Sequence, residues 1–448
     1  GSCNTTKTQD NKPKNSNSGQ DSPQDQQPKK ESYYTLPEIS SPIQYTLNID
    51  LNTFELTYIA DVVIELSIEK ETNCLYLNAT NAFAITACEV SFFDRISDSW
   101  STYLETIYTE TGLGNSYIDS IKIDIDRKLI QGDIAKVHLV CQGSVKKSKQ
   151  NSFFVSIEKL AEGSPLYYEM SDSFNFMSEW KGQYPEILSR VAFGVCSEPV
   201  ESRNIFPCFD EPKYKAQFRV SITVPEDLLK SEKALDKLRV ISNANRESIE
   251  EIKVNKVESS TISSNDNSKQ LSTSKEESIS PPTYKYKFNF ANSSLMPIYL
   301  LTWAVGNYDY LETKHNNIPV RVYTPLGEQN LGSFALEVAI KCLRFFENKF
   351  KVDYNLSNKI DFVPFSNLSF RALENTGCIV FKKEALLCDK TTGYYYKRNN
   401  CRTICHEISH MWFGNLVTMK WWDDIWLNEG FARYMEFVCI NAIKPEYD

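Results

Sequence analysis

His406, Glu407 and His410 form a His-Glu-x-x-His spacing, and Glu429 follows after eighteen intervening residues. Successive helical residues advance by about 100°, so positions i and i+4 project from one face. Two imidazoles placed that way can share a tetrahedral metal ion. A carboxylate from a neighbouring helix supplies a third bond, and the fourth position stays open. Glu407 lies about 100° around the helix from His406, where it can face the open position without being a ligand. The chemistry this predicts is hydrolysis. Zinc lowers the pKa of its water towards about 7 and polarises a carbonyl, and Glu407 takes the proton and passes it to a leaving amine. Two histidines on an ordinary helix face are the plain alternative. Against it, the sequence holds only four histidines and two of them are here.

These side chains need two helices. The first carries His406 and His410, with Gly414-Asn415 expected to cap its end. The second is expected from about Asp424 to Ile443, with Glu429 in its first turns. Ala335, Val338, Ala339, Cys342, Leu343, Phe346 and Phe350 fall at three- and four-residue steps, predicting a further helix with one buried face. Cys401 and Cys405 lie at i, i+4 next to His406 and are expected to pack in the core rather than bind metal.

Upstream the texture is different. Runs at 43–49, 60–66, 135–141 and 217–224 are short, β-branched and alternating, as in antiparallel strands. Tyr284–Phe288 and Tyr299–Val305 continue the pattern. Residues 1–32 are polar and charged with no apolar pattern, and about 245–281 are rich in Ser, Asn, Lys and Glu; both are expected to be disordered. The expected organisation is a polar tail at 1–32, a β-rich domain at 33–312 with the insertion at about 245–281, and a zinc catalytic domain at 313–448.

Composition sets further bounds. Forty-nine basic against fifty-eight acidic residues give a net charge of -9, which argues against nucleic acid as a partner. No run of eighteen apolar residues occurs, so no transmembrane segment is expected in this chain. Twelve scattered cysteines suggest reduced thiols and a cytoplasmic location. Gly1-Ser2 in place of a methionine reads as a tag remnant, so a native N-terminal segment that would make the protein secreted or membrane-anchored can lie upstream.

The segment Met411-Trp412-Phe413-Gly414-Asn415, continuing through Trp421-Trp422-Asp423-Asp424-Ile425-Trp426-Leu427-Asn428-Glu429-Gly430-Phe431-Ala432, resembles the zinc segment of M1-family aminopeptidases, a gluzincin family. Phe206-Pro207-Cys208-Phe209-Asp210-Glu211-Pro212 and Trp303-Ala304-Val305-Gly306-Asn307 resemble two upstream signatures of that family, and the nearest type is the puromycin-sensitive and aminopeptidase N group.

The resemblance implies a β-rich antiparallel N-terminal domain followed by a thermolysin-like α+β catalytic domain. It also implies one zinc ion per chain, held by His406, His410 and Glu429, with Glu407 as general base on the zinc-bound water. The substrates implied are peptides with a free N-terminus. The family's Gly-x-Met-Glu-Asn motif matches Arg371-Ala372-Leu373-Glu374-Asn375, so Ala372, Glu374 and Asn375 are expected to bind substrate, with Glu374 on the α-amine. Arg371 replaces the glycine and Leu373 the methionine. Glu198, in Cys196-Ser197-Glu198-Pro199, is the expected second amine-binding carboxylate.

The family also uses an oxyanion-stabilising tyrosine well beyond the third ligand, and only nineteen residues follow Glu429. The catalytic domain is therefore expected to be truncated, with a C-terminal remainder of the same enzyme as a partner. Other readings are a catalytically impaired fragment, a non-enzymatic zinc-binding relative, and an epoxide hydrolase of the same superfamily.

Overall fold

The computed structural model describes residues 35–111, 119–146, 152–157, 191–229, 237–254 and 284–447. The tail expected at 1–32 lies outside them, and so does most of the expected insertion.

The N-terminal part is built on a large sheet. Its strands run in the spatial order Arg246–Lys253, Tyr284–Phe290, Lys215–Pro225, Ser40–Asn52, Thr57–Ile68, Ile134–Ser144 and Phe83–Asp94, with short strands at the edge. Alternation explains its core face. In Thr57–Ile68, the side chains of Tyr58, Ala60, Val62, Ile64, Leu66 and Ile68 are all buried, while those between them are half-buried or exposed. Each fully buried aliphatic side chain contributes about 1.5–3 kcal/mol. Most of the pairings are antiparallel, as expected, but Ser40–Asn52 lies parallel to Lys215–Pro225.

Arg246–Lys253 corrects the expected insertion. Its first part is an edge strand paired with Tyr284–Phe290, although every one of its residues is exposed. A strand with no buried face leaves no apolar alternation to read; backbone pairing holds it, with surface side-chain contacts such as Asn289 to Ser248 and Glu250.

A second sheet of four strands, Ser152–Ile157, Val191–Cys196, Trp303–Asn307 and Leu238–Ser242, lies between this part and the next. Its Val191–Cys196 strand runs directly into Glu198.

A third, mixed sheet carries the catalytic part: Asp309–His315, Ile318–Thr324, Ile360–Phe365, Cys378–Lys382 and the edge strand Ala372–Leu373. The boundary expected at 312/313 falls inside Asp309–His315, which pairs along its whole length with Ile318–Thr324. Four helices accompany this sheet: α1 (Ser333–Phe350), the short α2 (Lys383–Leu386), α3 (Tyr394–Ser409) and α4 (Trp426–Ile443).

Helix α1 buries six of the seven residues expected of it; Phe350 is half-buried. It stops at Lys351, whose left-handed φ of 56° turns the chain out of the helix. The second helix of the metal motif begins at Trp426, after a 3-10 turn at Trp422–Asp424. Among the described residues no helix is long and apolar enough to cross a membrane.

Candidate active site

Helix α3 turns Cys401, Ile404, Cys405 and Ile408 into the core, which fixes the neighbouring face carrying His406 and Glu407. The helix ends at Ser409 rather than at Gly414, because His410 is itself the C-cap residue. The following turn runs through Gly414 at a φ of 122°, a value that suits only glycine. There the Nδ1 of His410 faces the carbonyl of Phe413 at 3.0 Å.

Helix α4 returns antiparallel to deliver Glu429. The Nε2 atoms of His406 and His410 lie 3.0 Å apart. The Glu429 carboxylate is 3.2 Å from the first and 3.6 Å from the second. All three ligand atoms fall within 4.8 Å of one another. Both imidazoles have Nδ1 engaged elsewhere, which leaves both Nε2 atoms free to donate to one ion. Burial alone would lower the pKa of His406, but hydrogen bonds to Glu429 and Glu436 outweigh it and raise it to about 10. The surroundings of the imidazole are therefore anionic, and the donor set of two imidazoles and a carboxylate fits zinc.

Glu407 is buried beside these donors, and its Oε2 has no hydrogen-bond partner among the described residues. Burial pushes its carboxyl well above the usual range, against the pull of His406. Glu374 and Asn375 are buried after the edge strand Ala372–Leu373, and Glu374 Oε1 and Asn375 Oδ1 also lack partners. An unmet buried acceptor costs about 1–3 kcal/mol, so such a group is better satisfied by a ligand.

Glu198, half-buried at the end of its strand, brings a carboxylate oxygen within 4.8 Å of those of Glu374 and Glu429. Burial, and then Glu374 and Glu429, raise its pKa. Every residue expected at the site thus sits in one region. Ala372 lines a cleft with His406 and Glu407.

Several supporting residues were not anticipated. Glu436, seven residues after Glu429 and so on the same face of α4, holds His406 Nδ1 at 3.0 Å. That spacing was readable from sequence. Asp423 and Asp424, within the 3-10 turn before α4, are exposed. Lys215 donates to the carbonyls of Asn415 and Leu416, and Asn415 Nδ2 donates to the Glu374 carbonyl at 2.8 Å.

The Phe206–Pro212 signature proves structural in its contacts: Asp210 accepts from the Arg203 Nε at 3.0 Å and the Arg203 backbone N–H at 3.1 Å, anchoring the loop that follows Glu198. Trp426, at the start of α4, is 57% exposed. Cys405 packs against Cys342 in the helical core, as expected of a small buried residue. His138 and His315 pair with carboxylates elsewhere.

Family comparison agrees with this architecture. The Peptidase M1 N-terminal domain matches residues 41–274, and the Peptidase family M1 domain matches residues 334–448. The chain belongs to peptidase family M1. It is 28% identical to Aminopeptidase M1-B of Oryza sativa subsp. japonica over 92% of this chain and 38% of that protein. It is 30% identical to the puromycin-sensitive aminopeptidase of Caenorhabditis elegans, over 73% of this chain and 32% of that protein. It is 33% identical to a probable M1 family aminopeptidase 2 of Encephalitozoon cuniculi, over 61% and 28% respectively. The chain thus spans between about a quarter and two fifths of the length of such relatives.

Proposed function

We propose that the protein is a zinc-dependent aminopeptidase, releasing the N-terminal residue of peptides. The observation that carries this reading is the closeness of two kinds of group. Three metal donors converge, and beside them Glu198 and Glu374 bring two carboxylates together, with no lysine or arginine of the described residues paired to either. A zinc ion held by His406, His410 and Glu429 would supply Lewis acidity to a carbonyl and to water.

The chain's own residues do the rest. Glu198 and Glu374 hold the free α-ammonium by charge-assisted hydrogen bonds, which limits cleavage to the first peptide bond. Asn375 completes that end. The edge strand Ala372–Leu373 has one side paired with Cys378–Lys382. Its other side can take the substrate backbone as an added strand. Glu407 accepts a proton from the attacking water and returns it to the leaving nitrogen. A cytoplasmic setting is supported by the eleven described cysteines, all free thiols and ten of them buried.

The test uses the full-length gene product and aminoacyl-coumarin substrates with free or acetylated amines. Cleavage of the free form alone, abolished by chelation, is the expected result. Glu407→Gln should lower kcat by about 10²–10⁴. Cleavage of the acetylated form at an equal rate, or full activity in Glu407→Gln, sinks the proposal.

A further inference from the structure

The cleft beside His406 and Glu407 extends away from Glu198 and Glu374. Its volume is about 420 Å³, and neither of those carboxylates lines it. That volume falls in the range of small-ligand clefts, about 300–1,000 Å³. Three guanidinium groups, from Arg371, Arg402 and Arg433, face it together with only two carboxylates, Glu407 and Glu436. Glu436 is already committed: its Oε1 accepts from Arg402 at 2.7 Å and Arg433 at 2.6 Å, and its Oε2 faces His406.

Arg371 is different. Its Nε donates to Thr403 Oγ1 at 2.9 Å and its Nη2 to Asn400 Oδ1 at 3.2 Å. Both acceptors are neutral, and no carboxylate of the described residues lies within ion-pair distance of it. A guanidinium carries five N–H donors. Two of those on Arg371 are used to hold the group against α3, so the head is fixed in place while other donors and the whole positive charge remain available.

We propose that Arg371 is a specificity-determining residue that binds a substrate carboxylate on the leaving side of the scissile bond. This rests on the aminopeptidase reading. Arg371 stands three residues before Glu374 on an extended segment, about 10 Å at roughly 3.3 Å per residue. A peptide whose amine lies at Glu374 and whose backbone follows the Ala372–Leu373 edge brings its second or third residue to Arg371. The ligand is therefore an acidic side chain at that place, or the terminal carboxylate of a dipeptide or tripeptide. Either would form the charge-assisted, two-pronged contact that guanidinium geometry suits.

The experiment compares peptide pairs on the full-length gene product. Ala-Glu-Ala-amide against Ala-Gln-Ala-amide isolates the side chain, and Ala-Ala-Ala against its amide isolates the terminus. A preference of about tenfold in kcat/KM for the anionic member of at least one pair is expected, carried in KM and shrinking as salt rises. Arg371→Gln should bring that ratio close to one, and Arg371→Lys should retain part of it. A strap that only held the strand to α3 would change stability and leave the ratio untouched. Equal rates within both pairs, or a ratio unchanged in Arg371→Gln, overturns the assignment while the aminopeptidase reading stands. Failure to cleave any of the four peptides overturns both.

Discussion

Glu436 serves three partners at once: Arg402, Arg433 and the Nδ1 of His406. The arginines fix the carboxylate, and the carboxylate fixes the imidazole ring so that Nε2 points to Glu429. In Glu436→Gln the side chain keeps its size but loses its charge, and an amide cannot satisfy two guanidinium groups and an imidazole N–H together. Loss of such an orienting partner typically weakens metal binding 10–100-fold. The expected outcome is a zinc affinity lower by about that factor, read by competition with a chelator of known affinity, with circular dichroism unchanged. An affinity equal to that of the native chain would show that α3 alone orients His406. The ligands themselves were legible, since i, i+4 spacing on one helix is a local property. Arg402 and Lys215 were not, because their importance comes from contacts with residues 34 and 201 positions away.

At the scale of elements, the turn between Ala372–Leu373 and Cys378–Lys382 carries Glu374, the carboxylate proposed to hold the substrate amine. Gly377 lies in it at a φ of 71°, where a side chain is strained whatever the space. A Cβ there would also stand 2.2 Å from the carbonyl oxygen of Asn243, and Asn243 Nδ2 binds the Thr376 carbonyl at 2.8 Å. Gly377→Ala must therefore push the turn away from the N-terminal part. Backbone strain of this kind costs on the order of 1–3 kcal/mol. A lower urea midpoint with an unchanged slope is expected, together with a raised KM for free-amine substrates as Glu374 shifts. A midpoint equal to the native value would refute the argument. The three long helices and several strands of the large sheet could be read from periodicity, because burial on one face imprints period 3.6 or 2, whereas the run at Tyr299–Val305 is a 3-10 turn leading into the strand Trp303–Asn307. Their assembly could not. The parallel pairing of Ser40–Asn52 with Lys215–Pro225 joins segments far apart in the chain and leaves no local trace. The wholly exposed Arg246–Lys253 strand leaves none either.

Over the whole molecule, the candidate site draws on separate parts: Glu198 follows the Val191–Cys196 strand of the middle sheet, and the metal donors come from α3, its C-cap residue His410, and α4. Phe154, Ile241 and Ala304 of the middle sheet share one core with Val363, Phe365 and Val380 of the catalytic sheet. Met419, just past the metal turn, packs into the large N-terminal core. Phe365 is closely packed in this core. It meets Phe154 edge-on at 5.1 Å between ring centroids and leaves no room for a Cβ on Gly194, two residues before Cys196. Truncating a buried phenylalanine to alanine costs about 3–5 kcal/mol. If the junction is one cooperative core, Phe365→Ala lowers a single thermal transition, and the KM for free-amine substrates rises because Glu198 loses its backing. The zinc affinity of the proposed site is expected to be unchanged, since no residue of α3 or α4 belongs to the core around Phe365. Two separated transitions, of which only one moves, would show instead that the catalytic sheet folds independently and that Glu198 is held by its own strand alone.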